Sequence, residues 1–126
     1  MTAIGDSGTA NGVAFNSPMV AWTLQGGHRG PQQGTVPAKK SFIRTEPSNI
    51  VVTSVKQSED GTGTVIRLYE AEGDRCTARI SLLKPIREAY RTSLLEYDPE
   101  RLAVDAGGTL TLPVKPWEIV TILIKE

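Results

Sequence analysis

The stretch NIVVTSVKQSEDGTGTVIRLYEAEGDRCTARISL, Asn49–Leu82, carries three apolar runs separated by two turn signals. Ile50–Val55 is rich in β-branched residues, whose stiff side chains fit a pleated surface. Ser58–Gly63 then supplies Asp and Gly, which tolerate the positive φ that a chain reversal needs. Thr64–Glu70 resumes the strand pattern, and Glu72-Gly73-Asp74 signals a second turn. In Arg75–Leu82 the alternation is complete: Cys76, Ala78, Ile80 and Leu82 share one face, Arg75, Thr77, Arg79 and Ser81 the other. The stretch is expected to form three consecutive antiparallel strands, the third with one buried and one wet face.

Upstream, Ser41–Thr45 reads as a short strand and Gln25–Lys40, with its glycines and prolines, as a long surface loop. Val13–Leu24 is the first apolar stretch, and Pro18, which cannot donate to a ladder, makes it an edge strand or two short strands at a bend. Met1–Gly12 has small and polar residues without periodicity and reads as a flexible, disordered leader, leaving 13–126 as one domain. Downstream, Ile86–Leu95 is expected to be a strand, Glu100–Val104 a link, and Thr109–Val114 a strand of period two. Trp117–Ile124 is apolar on both faces and should lie centrally or be covered. Short strands divided by turn signals, without a convincing helix, predict an all-β fold: an antiparallel β-sandwich of about eight short strands, immunoglobulin-like in general architecture.

The 126 residues suit one domain with a core large enough to need no staples. Lys+Arg and Asp+Glu balance at 14 each, and no basic stripe offers itself to nucleic acid or an anionic membrane. No run approaches the ~20 apolar residues of a membrane-spanning helix. Met1–Gly12 lacks the basic start and apolar stretch of a secretory signal. Cys76 is the single cysteine, expected as a small core residue, and a cytoplasmic setting is favoured.

Four phrases recur together in order: FNSPMVA at Phe15–Ala21, SFIRTEPSNIVVTSVKQSEDGTGTVIRLYEAEGD at Ser41–Asp74, PIREAYRTSLLE at Pro85–Glu96 and GGTLTLPVKPWEIVTILI at Gly107–Ile124. They resemble the C-terminal β-sandwich domain of bacterial-type glycoside hydrolase family 38 α-mannosidases, from Val13 onward. The resemblance implies a non-catalytic domain that packs against and supports a catalytic domain. In such enzymes the nucleophilic aspartate and the zinc ion belong to that other domain, so the resemblance assigns no catalytic residue and no cofactor to this chain. The implied partner is the remainder of the parent hydrolase chain, with mannose-containing glycans as a second. A stand-alone carbohydrate-binding module and a protein-interaction β-sandwich are the alternatives.

Zinc requires three or four converging ligands, whereas His28 stands alone in a Gly-rich loop and Cys76 alone on a core face. The carboxylates Glu59-Asp60 and Glu70/Glu72/Asp74 lie in or beside turns and read as solvated turn formers; a calcium site at the latter three is the competing reading. Trp117 is expected in the core. Trp22 and Tyr90 are the candidates for stacking on sugar rings. On the strand Thr64–Glu70, Ile66 and Leu68 claim the inner face, which turns Val65, Arg67 and Tyr69 outward. That trio is the candidate docking surface, expected bare, with Arg67 pairing a carboxylate and Tyr69 filling a shallow pocket.

Overall fold

The computed structural model describes residues 8–18, 20, 37 and 40–125. Among these residues one helix, α1 (Gly8–Asn16), precedes eight strands: β1 (Ile43–Glu46), β2 (Ile50–Gln57), β3 (Thr64–Glu70), β4 (Cys76–Leu82), β5 (Glu88–Thr92), β6 (Glu100–Leu102), β7 (Leu110–Val114) and β8 (Ile119–Lys125). They form two antiparallel sheets, of order β1-β4-β7 and β2-β3-β8-β5-β6, facing each other as a β-sandwich. Among the described residues no helix is long and apolar enough to cross a membrane.

Alternation builds the core. Ala78 and Ile80 of β4 and Leu110, Leu112 and Val114 of β7 point inward from the smaller sheet. Ile66 and Leu68 of β3 meet them from the larger sheet, with Val120, Ile122 and Ile124 of β8 alongside. Cys76 packs half-buried against this core, and burial pushes its thiol pKa up. The doubly apolar β8 sits between β3 and β5, the covered position its pattern requires. β2 is bulged between Val52 and Ser54, so that Val52 pairs with Leu68 but Val55 pairs with Ile66 on the same inner face.

Three expectations change. The run Asn49–Leu82 is not a three-stranded meander: β2 pairs with β3, but β4 crosses to the other sheet and pairs with β1 and β7. Glu72-Gly73-Asp74 is therefore an arch between sheets, because the second edge of β3 is taken by β8. Glu100–Leu102 is a short strand on β5 rather than a link. Val13–Asn16 closes a helix rather than an edge strand; with no strand paired to it among the described residues, a helix satisfies its own backbone groups where an extended segment cannot. The leader reading overlaps this helix at Gly8–Gly12, and residues 1–7 lie outside the described ones, as do 21–36 of the expected strand and loop. The sandwich strands themselves run from Ile43 to Lys125.

Candidate docking face of the five-stranded sheet

Register fixes which residues share the outer face of the larger sheet. One row runs Lys56, Val65, Leu123, Tyr90 and Arg101 across β2, β3, β8, β5 and β6. The next runs Ser54, Arg67, Thr121 and Thr92, and a third pairs Tyr69 with Ile119. The inward parity of Ile66 and Leu68 and the outward parity of Val65, Arg67 and Tyr69 are as the alternation demands.

The expectation that this trio is bare needs correction at Val65, which is 1% exposed, while Arg67 and Tyr69 are half-buried. The residues after β5 fold back over the face. Ser93 N–H donates to the Tyr97 carbonyl at 2.9 Å, and Glu96 N–H to the Ser93 carbonyl at 3.0 Å, closing a tight loop. Glu96 and Asp98 take positive φ, 67° and 56°, in that turn. From the loop, Glu96 reaches the Lys56 ammonium at 2.7 Å and accepts from Glu59 N–H at 2.8 Å. The Lys56 contact holds the Glu96 carboxyl below its ordinary pKa, while Glu59 and then Glu96 raise that of Lys56. Lys56 is the register neighbour of Val65, so this clamp lies over it. The Leu94 carbonyl accepts from Arg67 Nη2 at 3.2 Å. Covering by residues thirty positions downstream leaves no mark in the local pattern of β3.

Beside the loop the face stays open and apolar. Ile119 is 63% exposed next to Tyr69 and Leu94 is 60% exposed above Arg67; Trp117, just before β8, is 66% exposed beside the arch at Gly73. Trp117 is thus not the core residue expected. Its backbone takes φ 59°, and its indole lies flat enough against Gly73 that a Cβ there would come within 2.7 Å of Cζ2. Tyr90 sits half-buried on β5, its hydroxyl donating to Glu88 Oε2 at 3.0 Å and the Lys125 ammonium 5.4 Å from its ring centroid. Glu88 raises the Tyr90 pKa. Trp22 and His28 lie outside the described residues.

Of the three carboxylates near Gly73, Glu72 and Asp74 are exposed as turn formers should be, and Glu70 departs from that reading. Glu70 is 0% exposed. Its Oε1 accepts from Asn49 Nδ2 at 2.9 Å and from Glu72 N–H at 2.8 Å; its Oε2 accepts from Gly73 N–H at 2.7 Å and from Trp117 N–H at 3.0 Å. Burial pushes its pKa up, but the donors from Trp117, Glu72, Asn49 and Gly73 outweigh that and lower it to about 2. Its oxygens are occupied in tying three chain segments together, which answers the calcium reading at Glu70, Glu72 and Asp74. Among the described residues no three His, Cys, Asp or Glu side chains gather as a metal site requires. Period two carried the missed signal: Glu70 has the inward parity of Ile66 and Leu68.

A family model described as the glycosyl hydrolases family 38 C-terminal beta sandwich domain matches residues 49–122, from the start of β2 into β8. Comparison with curated proteins and with solved structures gives no match. The matched span is more than half of the chain and holds the β2–β3 hairpin, the arch and the paired cores of both sheets. The chain belongs to the glycosyl hydrolase family 38 C-terminal β-sandwich domains.

Proposed function

We propose that this domain is the non-catalytic C-terminal β-sandwich of an α-mannosidase-like glycoside hydrolase, and that it packs on the catalytic domain with the outer face of its five-stranded sheet. The observation that carries this is the clustering of exposed Ile119 and Leu94 with half-buried Tyr69 and Arg67 on that face. Apolar and aromatic groups around an arginine are the composition of a contact surface rather than of a solvated one. Family membership supports the placement of the domain within a larger hydrolase. Zinc, which the resemblance assigns to the catalytic domain, finds no converging ligand set among the described residues here, and the supporting role routes no chemistry through it.

Two outcomes follow. The 126-residue chain by itself leaves an aryl α-mannoside intact; turnover lost on mutating one of its own residues contradicts the assignment. In a hydrolase chain containing the domain, Tyr69→Ala and Ile119→Ser speed proteolytic cleavage between it and the catalytic part. In the isolated chain Ile119→Ser, at an exposed site, stays within about 0.5 kcal/mol of the parent stability, as surface truncations do, while Tyr69→Ala costs more because its site is half-buried. Equal destabilisation in both settings makes the face part of the domain's own packing and ends the docking assignment.

A further inference from the structure

Among the described residues two buried side-chain atoms lack a hydrogen-bond partner, Arg67 Nε and Thr92 Oγ1. They belong to one row of the outer face, on either side of Thr121: Arg67 pairs with Thr121, and Thr121 with Thr92. The strands of such a row are about 4.8 Å apart. To reach the Leu94 carbonyl just past β5, the Arg67 side chain must therefore cross Thr121 and pass close to Thr92. Thr92 is 9% exposed and Thr121 4%. Native structures leave few buried polar atoms unsatisfied, so two in one row call for a missing acceptor.

The charge of that acceptor follows from the neighbours. The other outer-face cations near carboxylates have them as partners: Lys56 has Glu59 and Glu96, and Arg101 has Glu88 at 3.5 Å. Among the described residues the Arg67 guanidinium has only the neutral Leu94 carbonyl, through one of its nitrogens. A guanidinium with its Nε edge unused is shaped to take a carboxylate through two parallel N–H donors.

We propose that the Arg67–Thr121–Thr92 row is a carboxylate-accepting notch in the docking face, filled by an Asp or Glu side chain from the catalytic domain of the same hydrolase. The inference rests on the docking assignment above and names its polar anchor. The incoming carboxylate displaces the Leu94 carbonyl, accepts from Arg67 Nε and Nη2, and takes the Thr92 hydroxyl as a third donor. The Ser93–Tyr97 loop, which covers the row, gives way as it enters. Tyr69, Ile119 and Leu94 form the apolar rim that excludes water from the pair.

Thr92→Val is the decisive variant, because its two effects have opposite signs. In the isolated 126-residue chain it removes an unsatisfied hydroxyl while keeping the shape, so the melting temperature holds or rises. In the longer hydrolase chain it removes a donor to the carboxylate, and cleavage between the domains accelerates about tenfold, the effect of losing one charge-assisted hydrogen bond. Arg67→Lys, which keeps the charge but loses the planar fork, accelerates it at least as much. A fall in melting temperature for Thr92→Val in the isolated chain means its hydroxyl is already satisfied within the domain, and overturns the notch. If Tyr69→Ala and Ile119→Ser loosen the interface while Thr92→Val and Arg67→Lys do not, the face docks but the notch is wrong. If none of the four changes it, the docking assignment falls with the notch. Dimerisation of the isolated chain that Arg67→Lys abolishes puts a second copy in the notch and overturns the choice of partner.

Discussion

The outer faces of the two sheets are both woven from antiparallel strands, yet one lies largely open to solvent and the other is half covered. On the three-stranded sheet, Glu46, Arg79 and Thr111 lie in one row and are all exposed; Arg44 and Ser81 form another, with Arg44 open to solvent. The ion pair there between Arg44 and Glu46, at 3.8 Å, is between exposed side chains and contributes little. On the five-stranded sheet Val65, Leu123, Thr121 and Thr92 are buried although they point away from the sandwich core. The difference comes from the connections. β5 and β6 are joined by a loop that folds over the sheet, and Lys56 and Arg67 hold it there. A sheet face can thus be buried by its own chain, without a third layer, where one loop returns across it.

The largest effect that would break this contrast is expected at the clip joining both sheets' ends. Glu70→Ala strands four donors in or near the interior, and the melting temperature should fall on the order of 10 °C by thermal unfolding. A fall of a degree or two would show that water replaces the carboxylate cheaply. The same group sets an acid response. Its folded pKa of about 2 lies below the ordinary 4.5, so its contribution is present above pH 4.5 and lost as pH falls toward 2. Urea midpoints across that window should drop steeply, and Glu70→Gln should flatten the drop. Part of the slope will survive, because Ser58 and Thr62 lower Asp60 to about 2 as well.

Next in size is Val65→Ala, which empties a covered outer-face site and should cost about 2 kcal/mol in urea unfolding. On the opposite sheet Arg79→Ala should change stability by no more than about 0.5 kcal/mol. Equal costs for the two would erase the distinction between a covered and a wet face. A Val65 cost near zero would mean that the Ser93–Tyr97 loop lifts off freely in solution.

What the sequence displayed and what it hid divide along the same line. The faces of β4 were legible because Cys76, Ala78, Ile80 and Leu82 repeat with period two, and the central place of β8 because it is apolar on both sides. The parity of Val65, Arg67 and Tyr69 was legible for the same reason. The partner of each strand was not. Glu72-Gly73-Asp74 has the residues of a hairpin turn, and nothing local says that β3 will take its second neighbour from β8, whose residues lie about fifty positions further on. The covering of Val65 and the exposure of Trp117 were hidden for that reason too: each depends on a loop contact made across the fold. Trp117 and Arg67 show that residue type alone misleads when the deciding neighbour is distant, here Gly73 and Leu94.

The position of β8 has a consequence for how the chain assembles. The strand that separates β3 from β5 is the last of the eight to be synthesised, so the five-stranded sheet cannot close from its beginning. Until β8 arrives, the β2–β3 and β5–β6 pairs present unpaired edges, the condition under which nascent chains mispair with one another. A chain stopped before Ile119 should therefore be recovered as aggregate rather than as a smaller sandwich, whereas one missing α1 should fold. The ribosome, in effect, hands over the keystone at the end.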